Sequence, residues 1–344
     1  MKSKSKKIMT GLAVISCLLA GMVTASAEVN LNGAGATFPY PIYSKWFSEY
    51  NKMHPDIKIN YQSIGSGGGV KQFTEKTVDF GASDAPLSDY ELSLVKQPST
   101  HIPTVLGAVV LSYNLPEIGN DLKLTGPVIA DIFLGNLTKW NDPKLAALNP
   151  GMKLPDTAIV VAHRTDGSGT TYVFTDYLSK VSPAWKGKVG TGKSVSWPAG
   201  LGGKGNEGVT GLIKQMPGSI GFIELGYAMQ NKLPYASVQN KAGTFVMPSI
   251  ESVSASAAGV KMPADYRVSI TDPEGKDAYP ISSFTYLLVY KKTDDAAKGK
   301  ALVDFLKWAI NDGEKLAPAL YYSPLPESVK TQVNKTISQI TVAP

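Results

Sequence analysis

Apolar positions along the chain switch repeatedly between two rhythms. Residues 29–32 read as a short strand, and residues 41–53 then place Ile42, Trp46, Phe47, Tyr50 and Met53 at the spacing of one helix face. Residues 57–61 alternate as a half-buried strand does, residues 70–76 return to a helical pattern, and a further short strand is expected at 78–82. Long apolar runs at 103–113 (Val105, Leu106, Val109, Val110, Leu111) and 158–162 have the composition of buried strands. A helix is expected over 170–178, with Tyr172, Val173, Phe174 and Tyr177 on its buried side. Residues 283–290 form another apolar strand, residues 296–310 a helix carried by Leu302, Val303, Leu306 and Ile310, and a last helical piece follows Pro326. Residues 200–211 are dense in glycine and read as a surface loop. Strand, glycine turn and helix in repeated order predict α/β layers, which take ligands at the carboxyl ends of their strands.

Three of those strand-to-helix junctions combine glycine with Ser or Thr: Gly33-Ala34-Gly35-Ala36-Thr37-Phe38, Gly65-Ser66-Gly67-Gly68-Gly69, and Arg164-Thr165-Asp166-Gly167-Ser168-Gly169-Thr170-Thr171. Glycine admits close backbone approach, and the first amides of a helix lack internal partners and carry partial positive charge. One such junction is ordinarily just a turn. Three in one chain, one of them with an arginine, point to a small oxyanion held from several sides. None completes a dinucleotide fingerprint, because Phe38 stands where the third glycine belongs. Residues 187–194 do satisfy G-x-x-x-x-G-K-S, but Pro183 upstream and Pro198 downstream leave no strand before or helix after, so the match is one of composition alone. His54, His101 and His163 have no metal-ligand spacing, and no G-x-S-x-G surrounds Ser66 or Ser168. A structural role is expected for His163, whose side chain should leave the strand on the face opposite Arg164.

The ends of the chain change the reading of its charge. Lys2, Lys4, Lys6 and Lys7 precede a mostly apolar run over 8–23, and Ala25-Ser26-Ala27 offers a small-residue cleavage site, so residues 1–27 are expected to be an export signal with the mature chain beginning at Glu28. Val14-Ile15-Ser16-Cys17 loosely resembles a lipoprotein box, the alternative that would leave a lipid anchor. Cys17 is the only cysteine, so cleavage after Ala27 removes every thiol. The formal charge of +6 falls to +2 without the four signal lysines, and no clustered basic face for nucleic acid remains.

These segments together resemble the phosphate-binding proteins of bacterial Pst-type ABC importers. The likeness runs through residues 33–39, 63–69, 78–86, 164–170, the glycine loop at 197–205, and Pro217-Gly218-Ser219-Ile220-Gly221-Phe222. It implies an α/β, two-lobed periplasmic-binding-protein fold of type II whose lobes are joined by two β-strand hinge crossovers. One lobe would comprise residues 28–104 plus 284–344 and the other residues 105–283. Carried over position by position, the phosphate ligands would be Thr37, Phe38, Ser66, Asp84, Arg164, Ser168, Gly169 and Thr170, with Asp166 orienting the arginine. Arg164 would offer a planar fork, the hydroxyls and helix-start amides further donors, and Asp84 a partner for the proton that phosphate still carries at neutral pH. The resemblance implies no catalytic residues, metal or cofactor, and as partners inorganic phosphate and membrane-embedded permease subunits, with a monomeric, periplasmic protein. The competing readings are a binding protein for sulfate, molybdate or a phosphorylated organic solute, and a phosphatase or phosphotransferase on the same scaffold.

Overall fold

The computed structural model describes residues 28–120 and 122–343. The expected export signal, with Cys17, lies outside them. Eight strands form the principal sheet. In chain order they are β1 (Val29–Gly35), β2 (Ile57–Ser63), β3 (Phe80–Ser83), β4 (Ser99–Tyr113), β5 (Val160–Arg164), β6 (Leu201–Gly203), β7 (Ser219–Glu224) and β8 (Ser282–Tyr290). Across the sheet they run β2-β1-β3-β8-β4-β7-β5-β6. β1 is parallel to β2 and β3, and β5 is parallel to β6 and β7, so each end of the sheet is a small α/β unit. Between them β4 and β8 run antiparallel, and every residue of β8 is buried.

β4 links the two lobes. Its first part pairs with β8, from Ser99 opposite Tyr290 to Ala108 opposite Ser282, and its last part, Val109–Tyr113, pairs instead with β7. A continuous strand of 15 residues, buried from His101 onward, explains the long apolar run.

Each lobe is filled from its own helices. Helix α1 (Tyr40–Met53) starts with proline in its first turn, where a missing N–H costs nothing, and buries Ile42, Tyr43, Trp46, Phe47 and Tyr50. Phe47 and Tyr50 meet Phe305 on helix α5 (Ala296–Asn311), with ring centroids 5.5 and 5.3 Å apart. Helix α3 (Gly169–Val181) answers on the other side, where Phe174 stacks on Phe222 of β7 at 4.4 Å. The His163 ring stacks on Trp197 at 4.9 Å, and its Nδ1 lies 3.1 Å from the Arg164 carbonyl oxygen.

Two expected boundaries are corrected by how closely backbones approach. Helix α2 (Ser66–Glu75) starts four residues before the expected 70, so Gly67, Gly68 and Gly69 form its first turn. Glycine is a poor helix former, but a Cβ on Gly69 would stand 2.4 Å from Gly35 Cα and 2.6 Å from the Ala34 carbonyl oxygen. The space between α2 and β1 admits backbone only. Residues 200–211 are likewise no surface loop: they form β6 and the start of helix α4 (Gly205–Gln215), with Gly205 and Asn206 buried. A Cβ on Gly203 would lie 2.6 Å from the Gly208 carbonyl carbon, so the glycines mark a tight strand–helix contact. The stretch 187–194 begins at the end of the short helix Pro183–Lys188 with no strand before it, no helix succeeds it before α4, and Lys193 pairs with Glu91 at 2.5 Å.

Gly69→Ala should therefore destabilise the protein by about 1–3 kcal/mol through overpacking. Gly211→Ala, inside α4 with nothing within 4 Å of the added carbon, should stabilise it by about 0.5–1 kcal/mol. Urea unfolding of both variants checks the pair; equal effects of either sign would contradict the packing of α2.

Candidate anion-binding site

All the sequence-predicted site residues come from strand ends and helix starts, and the fold brings them together. Thr37 and Phe38 lie in the turn between β1 and α1, Ser66 opens α2, and Asp84 follows β3 directly. Arg164 is the last residue of β5, Asp166 and Ser168 form the next turn, and Gly169 and Thr170 begin α3. Thr37, Phe38, Ser66, Asp84, Arg164, Ser168 and Thr170 are each no more than 3% exposed.

Arg164 is the fixed point of the site. Its Nε and Nη2 donate to the two carboxylate oxygens of Asp166 at 2.8 and 2.5 Å, and its Nη1 donates to Thr170 Oγ1 at 3.3 Å. The side-on edge of the guanidinium is thus committed to Asp166, and its end-on edge, Nη1 and Nη2, still offers a two-pronged donor. The Gly205 amide also donates to Asp166 at 3.0 Å. Burial alone would raise the Asp166 pKa, but the hydrogen bonds and charge of Arg164 prevail and hold it below the ordinary value.

Ser66 and Asp84 form the opposite wall. The Gly169 amide donates to Ser66 Oγ at 3.0 Å and the Asp84 amide does so at 3.3 Å, while Ser66 Oγ donates to Asp84 Oδ2 at 3.4 Å. Thr285 Oγ1 donates to the other oxygen of Asp84 at 2.9 Å. Burial pushes the Asp84 carboxyl up to about 7, against the downward pull of Thr285, Arg164 and Ser66. At neutral pH it stands between its two protonation states. Ser168 Oγ caps α3 by accepting from the Thr171 amide at 3.0 Å. Backbone closes the remaining gap, because the Gly67 amide donates to the Gly167 carbonyl at 2.7 Å.

Several contributors escaped the sequence reading. Asn206 donates to Thr37 and Thr170, Thr285 holds Asp84, and two tyrosines bond the peptide carbonyls beside the site: Tyr227 to Thr37 at 2.6 Å and Tyr322 to Phe38 at 2.7 Å. Glu224 is fully buried, its carboxyl pushed well above the ordinary range by that burial, and lies 3.0 Å from the Tyr322 hydroxyl. The Gly-rich stretch around Asn206 carried a signal, but one read as a loop. Thr285 and Tyr322 lie far along the chain from the residues they serve and carry no local pattern.

Chemically, the cluster is a buried array of hydroxyl, amide and guanidinium donors facing one carboxyl group. Residues 22–312 match the PBP superfamily domain. The chain is 49% identical over 309 residues to the phosphate-binding protein PstS of Xylella fastidiosa (strain Temecula1 / ATCC 700964), an alignment covering 89% of this chain and 84% of the relative. It is also 49% identical over 325 residues to the phosphate-binding protein PstS of Pasteurella multocida (strain Pm70), covering 93% of this chain and 94% of that one. Among solved structures it is similar in fold to a high affinity periplasmic phosphate-binding protein (PfluDING) bound with phosphate. The TM-score is 0.75 at 21% identity, over 92% of this chain and 100% of the other.

The titration of Asp84 has a consequence for stability. Its carboxyl titrates at 3.8 when unfolded and at about 7 when folded, so between those values the folded chain holds a proton that the unfolded chain has released. Stability of the ligand-free protein should therefore fall as pH rises from about 4 to about 7, by on the order of 3 kcal/mol for Asp84. Glu314, also pushed up to about 7 by burial, adds a fall in the same window. Asp84→Asn should remove the Asp84 share and leave the fall due to Glu314 and to Glu224, whose carboxyl burial also pushes well above its ordinary range. Denaturant unfolding of both proteins across this range measures it; identical slopes would place the buried proton elsewhere.

Proposed function

Because the chain belongs to the PBP superfamily and, within it, to the PstS phosphate-binding proteins, we propose that it binds inorganic phosphate with high affinity and delivers it to membrane-embedded subunits of an ABC importer. The observation that carries this reading is the chemistry of the buried cluster: many donors around a single carboxyl, Asp84, that is poised to share one proton. Phosphate at neutral pH presents lone pairs to the donors and keeps at least one proton for Asp84. Sulfate and molybdate bring no proton and would meet the carboxylate with repulsion alone. The direct ligands are Thr37, Phe38, Ser66, Asp84, Arg164, Ser168, Gly169 and Thr170, with Asp166 locking the arginine.

The protein acts without turnover. Hydrolysis would need a nucleophile activated by a nearby base. The hydroxyls beside Asp84 are those of Thr285, at 2.9 Å, and Ser66, at 3.4 Å, and the Ser66 oxygen already accepts from two amides, which lowers its electron density for attack. Residues 28–104 with 284–344 form one lobe and residues 105–283 the other, and β4 and β8 are the crossovers about which they close. Lys193 to Glu91 at 2.5 Å and Arg267 to Asp89 at 2.6 Å pair charges across the cleft mouth. Residues 1–27 act as the export signal, cleaved after Ala27, and place the monomeric mature chain in the periplasm. Among the described residues no helix is long and apolar enough to cross a membrane.

Calorimetric titration should show one phosphate bound per chain and no detectable sulfate binding. Asp84→Asn keeps the size, removes the charge and adds a donor, so it should narrow the gap between the two anions chiefly by gaining sulfate affinity. A variant that excludes sulfate as completely as the wild type would remove Asp84 from the discrimination.

Arg164→Lys keeps the charge but loses the planar fork, and should cost on the order of 2–4 kcal/mol of phosphate binding in the same assay. Binding within twofold of the wild type would mean that Arg164 does not contact the anion as a fork.

A further inference from the structure

Asn206 touches two of the proposed phosphate ligands at once. It is fully buried in the first turn of α4, and its side-chain amide nitrogen donates to Thr37 Oγ1 at 2.8 Å and to Thr170 Oγ1 at 3.2 Å. Its backbone amide gives Thr37 Oγ1 a second hydrogen bond at 3.1 Å, and Arg164 Nη1 gives Thr170 Oγ1 a second at 3.3 Å. The orientation of the Asn206 amide is fixed by an unambiguous donor: the backbone N–H of Glu224 bonds its carbonyl oxygen at 2.9 Å. A backbone N–H can only donate, so the NH2 group must face the two threonines.

A hydroxyl has two lone pairs and one proton. Thr37 and Thr170 each receive two hydrogen bonds, so both lone pairs on each oxygen are occupied and each hydroxyl has only its proton left to offer. We propose that Asn206 is a positioning residue for anion binding, which holds the Thr37 and Thr170 hydroxyls in the donating sense by filling their acceptor positions. Without it either hydroxyl could rotate, accept a proton from the ligand or from a neighbour, and turn a lone pair toward the anion. The acceptor positions of Ser66 are filled in the same way, by the amides of Gly169 and Asp84, but its proton is directed at Asp84. Asn206 thereby leaves Asp84 as the single place in the cluster where a ligand proton is welcome. Its action reaches both sides of the cleft, because Thr37 follows β1 and Thr170 opens α3.

The inference rests on the phosphate-binding reading, so wild-type protein is titrated with phosphate first. Asn206→Leu is close in size and cannot donate; Thr37→Val and Thr170→Val keep the shape of threonine and remove the hydroxyl. Asn206→Leu should weaken phosphate binding by about tenfold in the wild-type background, the loss of one to two hydrogen bonds. In the Thr37→Val, Thr170→Val background it should cost less than twofold, because the groups it acts on are gone. Titration to millimolar phosphate keeps the weakened proteins measurable, and thermal melts verify that each is folded. If the leucine variant does not fold, Asn206→Ser, which also lacks the amide donor, goes through the same cycle. A loss of equal size in both backgrounds would show that Asn206 only supports the packing of α4, and no loss in the wild-type background would overturn the inference while leaving the proposed function standing. A wild type that does not bind phosphate would overturn the proposed function and this inference with it.

Discussion

An arginine whose side chain is only 1% exposed dictates the design around it. An unpaired charge at that depth would cost many times what one hydrogen bond returns, so Arg164 has to be matched on the spot. Asp166 does so, with a carboxylate two residues along the same turn that takes both hydrogens of the side-on edge. The match is one to one, which leaves the pair neutral, and beyond the bond from Nη1 to Thr170 one hydrogen remains on each of Nη1 and Nη2. The turn is held in place by the Gly205 amide, which binds Asp166 from the start of α4. The chain therefore carries a preformed cation site for an anion without exposing a bare charge to solvent.

The donors beside Arg164 are organised by a second layer that never needs to touch a ligand. Tyr227 and Tyr322 bond the carbonyls of Thr37 and Phe38. Polarising the Thr37 carbonyl makes the Phe38 N–H of the same peptide unit a better donor, whereas the Phe38 carbonyl precedes Pro39 and its bond only fixes the turn. Glu224, its carboxyl pushed well above the ordinary range by burial, lies against Tyr322, and its own backbone amide orients Asn206. These residues come from β7, the short helix Leu225–Gln230 after it, α4 and the C-terminal segment, so the site depends on tertiary structure well beyond the three glycine junctions.

What the sequence made legible follows from the range of each interaction. Strands and helices with a buried face announce themselves by periodicity, and α1, β4, β8 and α5 lie close to where the pattern set them. The junction residues were legible because a helix start with glycine and hydroxyls is a local motif. The lobes' connection through β4 was legible only as a long apolar run, since pairing with two different partners leaves no separate mark on a buried strand. The glycines of α2 and α4 misled in the same way twice. Glycine reads as a loop when its neighbours in sequence are considered, and as a close contact only when the opposing backbone is known. Asn206, Thr285 and Tyr322 act across separations of 36 to 284 residues, at which no window of sequence can pair them with their partners.

Gly67 and Gly167 meet backbone to backbone, where a Cβ on the first would stand 2.9 Å from the second and a Cβ on the second 3.0 Å from the first. The contact is therefore a mutational dead end in both directions. No side chain can tighten it, the smallest one wedges the walls of the site apart, and no compensating change is open to the partner, which already has the least that a residue can have. Variation in affinity within such a lineage has to be written into the surrounding layers, while this pair of positions can only be kept or lost together with the closed site.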